Sequence, residues 1–327
     1  MPADEPAGST VPGEGSTPDG PEPGGTGSTE PGGPGGPEPA GPGSTDGGQP
    51  GGGRGGRAGR NLPAALGVGV LLGGLAIVTL FTVKATFLLY LAAAVWIAAW
   101  ELARALAGRD IRFPLAPVAV GGAAAIGLAY WWGARPLVAC IALTMIAILA
   151  WRLPGSPAGY LRDVTAGIFV LVYLPLMASF VALMLAAPDG SRRTLILLIL
   201  SVCSDVGGYA AGVLIGRHLM VPTISPKKTW EGFAGSALTC LVGGAVALPL
   251  LLHGAVWQGL LLGVAALLAA TLGDLVESMI KRDLEIKDMG TVLPGHGGVL
   301  DRIDSMALAA PVVWLLLLVF VPVAGQH

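Results

Sequence analysis

The sequence predicts an all-α fold: a polytopic membrane bundle of about nine transmembrane helices behind a disordered N-terminal tail. Three observations predict it. Mean hydropathy is +0.70 over 327 residues. Charged residues are 12% of the chain, about half the share of a soluble domain. From Leu62 onward the chain is a succession of apolar runs, each near the roughly 20 residues a helix needs to cross the hydrocarbon core.

Residues 1–61 are a different material. They are Gly, Pro, Ser, Thr, Glu and Asp with almost no large apolar side chain. Such a segment cannot bury enough surface to offset its ordering entropy, so disorder is expected. It has no apolar core of the signal-peptide kind. Arg54, Arg57 and Arg60 close it and read as a positive flank beside the first span. Residues 62–327 then form one transmembrane domain. Its spans are expected at 63–83, 85–106, 114–132, 135–151, 164–187, 194–215, 232–252, 256–281 and 305–324. In lipid the backbone must satisfy its own hydrogen bonds, so the spans are helices.

Lysine and arginine test that count. With a cytoplasmic N-terminus and nine spans, 15 of the 19 basic residues fall on the cytoplasmic side and 4 (Lys84, Arg135, Arg192 and Arg193) outside. This asymmetry predicts a multi-pass protein of the cell membrane with its N-terminus in the cytoplasm. It also puts the two long polar loops, 216–231 and 282–304, on one cytoplasmic face.

Four polar groups interrupt the apolar pattern. Ser204 and Asp205 lie inside the sixth span, and an aspartate there is costly enough to imply function. Gly208, Gly212 and Gly216 follow at intervals of four and read as a close helix-packing face. The loop Ser225-Pro-Lys227-Lys228-Thr229 sets two lysines among hydroxyls, a composition suited to phosphate oxygens. Near the end of the eighth span, Asp274, Glu277, Ser278 and Lys281 stand at i, i+3, i+4 and i+7, on one helix face within about 10 Å. Arg282 follows. Finally, Lys287, Asp288, Gly290, His296, Gly297, Gly298, Asp301, Arg302 and Asp304 form a glycine-rich loop running into the last helix. Asp301 and Asp304 are three apart and face one point. With Asp274 and Glu277 they make an oxygen-only donor set for a hard cation such as magnesium.

Acids for a hard cation, with several cations at a cytoplasmic face, point to phosphoryl or nucleotidyl transfer. The sequence lacks a dinucleotide-binding glycine fingerprint, a Walker A loop and a G-x-S-x-G elbow. The cysteines, Cys140, Cys203 and Cys240, lie in apolar stretches with no C-x-x-C pair and read as packing residues. A non-enzymatic alternative is a transporter of cations or lipid phosphates that uses the same acids. Transporters place such groups at the bilayer midplane between repeated halves, whereas here they lie toward one face and no repeat is evident.

Ser278-x-Ile-Lys-Arg282, Lys287-Asp-x-Gly290 and Leu293-Pro-x-His-Gly-Gly-Val-x-Asp-Arg-Ile-Asp304 together resemble the motif of the bacterial phosphatidate cytidylyltransferases over 27 positions. Ser225–Gly232 and Ser204-Asp205 resemble further hallmarks of that family, with Gly208 standing where alanine is expected. The resemblance implies transfer of CMP from CTP to phosphatidic acid in phospholipid biosynthesis. It implies magnesium, with room for a second, monovalent cation, and membrane lipid as the medium. A homodimer is compatible with it, and no nucleic-acid partner is expected. By this resemblance Asp274, Asp301 and Asp304 hold the metal, with Glu277 and Asp288 beside them. Lys227, Lys228, Lys281 and Arg282 contact phosphates. Ser204, Asp205, Ser225, Thr229 and Ser278 complete the nucleotide pocket. Lys287, His296 and Arg302 belong to the reacting loop.

Overall fold

The computed structural model describes residues 62–290, 292 and 297–322. The tail expected over residues 1–61 lies outside the described residues, as do Pro294, Gly295 and His296. What is described is helical throughout, save one small hairpin.

The elements follow the hydropathy pattern closely. They are α1 (Leu62–Thr82), α2 (Lys84–Ala107), α3 (Leu115–Trp132), α4 (Ala134–Trp151), α5 (Tyr160–Leu171), a π-helical turn (Val172–Leu176), α6 (Met177–Ala186), α7 (Gly190–Ile215), β1 (Leu219–Val221), β2 (Ser225–Thr229), α8 (Trp230–Leu252), α9 (Val256–Asp283) and α10 (Leu300–Phe320). The segment α5–π–α6 is one continuous rod. Among the described residues, eight helices are long and apolar enough to cross a membrane, and residues 69–82 of α1 add a shorter apolar stretch. The expected count of about nine is therefore close.

Buried leucines, valines and alanines from α2 to α10 form one core, including Leu102, Ile148, Leu171, Leu197, Leu248 and Leu317. Large apolar side chains such as Leu89, Val120, Leu214 and Leu250 are more than 70% exposed, as expected of a surface meeting lipid tails. All three cysteines are free.

Contacts between loop ends sort into two sets. At one end Lys84 Nζ donates to Ala187 O (2.6 Å), Ser191 Oγ to Leu80 O (2.8 Å) and Arg193 to Asp189 (2.7 Å) and Val321 O (2.6 Å). At the other end buried Asp163 accepts from Arg152 Nη2 (2.8 Å) and from Arg112 N (2.9 Å), and Arg109 pairs with Glu285 (2.9 Å). Glu285 belongs to one of the two long polar loops, and Arg282 Nε donates to Ile224 O of the other (3.2 Å). The described parts of both loops therefore lie at one end of the helices.

Two local features differ from the sequence reading. Residues 219–229, expected as loop, form an antiparallel hairpin in which Leu219 pairs with Thr229 and Val221 with Ser225. Its two-stranded ladder tolerates a proline at position 226, where an interior sheet position would not. Glu231 closes the hairpin by accepting from the N–H groups of Arg217 (3.1 Å) and His218 (3.2 Å). The second feature is the π turn, which contains Pro175. Proline supplies no N–H to the helical ladder, and a widened turn accommodates the missing bond.

Candidate active site

The site is built where α9 and α10 come closest. A Cβ added to Gly273 would lie 2.5 Å from Asp304 O and 3.1 Å from Ser305 Cα. The missing side chain thus lets two backbones touch. Immediately beyond that contact, α9 carries Asp274, Glu277 and Lys281, and α10 carries Asp301 and Asp304.

Lys281 joins the two helices. Its Nζ donates to Glu277 Oε2 one turn back (2.5 Å) and to Asp301 Oδ1 across the interface (2.5 Å). Glu277 is 3% exposed and Asp304 is 8% exposed. Buried acids this close repel one another, and a shared ammonium offsets the repulsion. Asp301 is anchored further by the N–H groups of Gly298 (2.7 Å) and Met289 (3.3 Å), which tie the preceding loop to the helix. Asp304 Oδ1 accepts from Ser305 N (2.8 Å). One oxygen, Glu277 Oε1, is buried without a hydrogen-bond partner among the described residues.

The hairpin and α7 complete the cleft. Lys228 Nζ donates to Asp274 Oδ2 (2.7 Å), so the hairpin lysine reaches the α9 stripe. Arg282 Nε donates to Ile224 O (3.2 Å) and fastens the hairpin turn to the end of α9. Asp205 on α7 lies within electrostatic range of Asp274, Lys228 and Arg302. Ser204 is buried beneath it, its carbonyl accepting from Ser236 Oγ (2.5 Å). The glycine face expected on α7 is a packing seam against α8: a Cβ on Gly208 would lie 2.5 Å from Ser236 Oγ.

The structure thus brings together Asp205, Lys228, Asp274, Glu277, Lys281, Asp301, Arg302 and Asp304. Ser225 and Ser278 are half-buried. Thr229 has a second job, its Oγ1 accepting from Gly232 N (3.1 Å) to cap α8. Lys227, Lys287 and Asp288 are exposed at the periphery. Expected as a phosphate contact, Lys281 serves first as a bridge between acids. Among the described residues, no three acids, histidines or cysteines stand as a ready ligand shell for a metal. The donor set nonetheless fits a hard cation, because all its candidate ligands are carboxylate oxygens and one of them is buried and unpartnered.

The sequence reading missed two residues. Tyr173, on the π turn, has a buried hydroxyl with no hydrogen-bond partner among the described residues and lies within electrostatic range of Asp304, Glu277 and Asp274. Its ring stacks on Phe169 (centroids 5.3 Å apart). Only the proline within an apolar run hinted at an irregular turn there. Glu101, on α2, is 1% exposed and accepts from the N–H groups of Val299 and Leu300, both at 3.0 Å. An acid inside an apolar span was the signal that could have found it.

Known proteins resemble this chain over the same region. The sequence model of the cytidylyltransferase family matches residues 64–320. The phosphatidate cytidylyltransferase of Mycobacterium leprae is 41% identical over 278 residues, covering 80% of this chain and 89% of the relative. That of Mycobacterium tuberculosis strain H37Rv is 41% identical over 274 residues, covering 80% and 84%. That of Pseudomonas aeruginosa is 37% identical over 264 residues, covering 78% and 93%.

The α9–α10 contact is open to test. Gly273→Ala should force the helices apart and cost about 1–3 kcal/mol, seen as a lower melting temperature in detergent. Gly73→Ala is the control: a Cβ there meets nothing within 4 Å. It should be neutral or slightly stabilising. Equal melting temperatures for the two variants would show that Gly273 is not a close contact.

Proposed function

The chain belongs to the cytidylyltransferase family, and we propose that the acidic cleft of α7, α9 and α10 is where CTP and phosphatidate react. The protein is a membrane-embedded phosphatidate cytidylyltransferase: it transfers CMP from CTP to phosphatidate, giving CDP-diacylglycerol and pyrophosphate. The observation that carries the location is the convergence of acids and cations from three separate segments, through Lys228–Asp274 and Glu277–Lys281–Asp301.

The chemistry asks for charge screening and alignment more than for a base. A phosphate monoester has a second pKa near 6 and is already anionic at neutral pH. One of its oxygens forms a bond to the α-phosphorus of CTP, and the bond from that phosphorus to the bridging oxygen breaks, so pyrophosphate leaves with the electron pair. The two reactants repel each other. Lys228, Lys281 and Arg282 would draw them together from the hairpin and α9, with Arg302 opposite on α10. Ser204, Asp205 and Ser225 would line the nucleotide end. Asp274, Glu277, Asp301 and Asp304 would hold magnesium, Glu277 through its unpartnered oxygen. When bound, the ion supplies neutralisation of the triphosphate charge.

The lipid needs an apolar place beside the cleft. A groove of about 960 Å³ is lined by residues that include Leu106, Arg162, Phe169, Met279, Ile280 and Asp283. Met279 and Ile280 lie on α9, the helix that carries Asp274, Glu277 and Lys281, so acyl chains lying there would run along the same helix, on a different face from the acids. Crowding of the polar groups toward one end of the helices favours interfacial catalysis over a translocation path at mid-membrane. The 15-to-4 distribution of basic residues supports placing that end, and the N-terminus, in the cytoplasm.

Purified protein in detergent should convert radiolabelled CTP and phosphatidate to CDP-diacylglycerol when magnesium is added. Asp304→Asn should abolish turnover without lowering the melting temperature. No product from the wild-type chain would refute the activity, and full activity of Asp304→Asn would remove Asp304 from the site. A topology reporter fused after His327 should read as external; a cytoplasmic reading would contradict the orientation.

A further inference from the structure

Glu101 has no part in the cleft as described so far, yet its position is unusual. It comes from α2, and its carboxylate reaches the chain 198 and 199 residues away. Oε1 accepts from Val299 N and Oε2 from Leu300 N, each at 3.0 Å. These N–H groups open α10, where no intrahelical acceptor exists for them. The residue at the head of that helix, Val299, offers no side-chain cap. Glu101 supplies the cap from another helix, and places a negative charge at the positive end of the α10 dipole.

The loop is shaped around this carboxylate. A Cβ on Gly290 would lie 2.6 Å from Glu101 Cδ, and one on Gly298 2.6 Å from Glu101 Oε2. Both glycines pack against the acid where any side chain would displace it. The preceding N–H, that of Gly298, goes to Asp301 Oδ2 (2.7 Å). Glu101 and Asp301 thus take three consecutive N–H groups between them, and Asp301 also takes that of Met289.

We propose that Glu101 is a positioning residue for the transfer reaction: by holding the first turn of α10 it sets where Asp301, Arg302 and Asp304 stand. The proposal rests on the cleft being the reaction site. Its physical basis is that charge-assisted hydrogen bonds are short and directional. Glutamine at this position has the same size but can accept only through its amide oxygen, and its NH2 group would turn against the second N–H. The expected result is a small displacement of the acids, with the fold intact. A misplacement of about 1 Å in a reacting constellation costs on the order of 100-fold in rate.

Glu101→Gln should therefore lower kcat by about 100-fold, with the KM for CTP held within about threefold and the melting temperature little changed. In hydrogen–deuterium exchange the amides of residues 298–304 should exchange faster than in the wild type. Gly298→Ala, which presses a methyl group onto the same carboxylate, should reproduce both effects. The double variant should be no worse than either single one, because both act through one contact. Wild-type kcat in Glu101→Gln, unchanged exchange over 298–304, or activity loss that merely follows loss of folded protein would each overturn the proposal, as would additive losses in the double variant. The exchange measurement needs no turnover. Failure of the wild type to make CDP-diacylglycerol would refute the activity, while faster exchange in Glu101→Gln would still show that Glu101 holds α10.

Discussion

Two helices touch backbone to backbone at Gly273, and the rest of the site depends on that contact. Without a side chain there, α9 and α10 approach until Asp304 O stands against Gly273. The consequence is electrostatic. Four carboxylates from the two helices are drawn into one small, largely buried volume, where their mutual repulsion and lost hydration oppose folding. The chain offsets this locally. Lys281 is shared by Glu277 and Asp301, Lys228 is brought in from the hairpin to Asp274, and backbone N–H groups anchor Asp301. The groups that make the acids tolerable are cations that can also meet phosphate, so the solution to the folding problem is also the binding equipment that we propose for the reaction.

The segments ahead of α7 serve as more than a membrane anchor. Helix α2 delivers Glu101 to the head of α10, and the π turn after α5 delivers Tyr173 toward the acids. At the opposite end, Arg193 clamps α7 to the end of α10 through Val321 O. Helix α10 is thus held at its first turn by α2 and at its last by α7. A helix fixed at both ends is a rigid platform for the groups that we propose align two anions.

Much of this was legible in the sequence, for physical reasons that also mark the limits. Hydrocarbon thickness imposes a length on each span, so the helices could be read one by one. The stripe Asp274–Glu277–Ser278–Lys281 could be read because helical period fixes which residues share a face. The pairing of Lys281 with Glu277 is the expected i, i+4 contact; its second bond, to Asp301, depends on how two helices dock and leaves no local trace. The hairpin was hidden because a three-residue strand beside a proline carries no period-two signal. Glu101 was hidden differently. It stands three residues before Arg104, near the end of its span, and so reads as the span's polar end; its partners lie 198 residues further on. The rule that flagged Asp205, an acid inside an apolar helix, applied to Glu101 equally.

We place the meeting of nucleotide and lipid in the cleft formed by α7, the hairpin, α9 and α10. Photolabelling with a photoreactive CTP analogue, followed by mass-spectrometric mapping of the adducts, tests that location most directly. Adducts are expected within residues 204–208, 225–232 or 274–304, suppressed by excess CTP. Adducts that CTP suppresses but that fall only on α1, α3 or α4 would contradict that location.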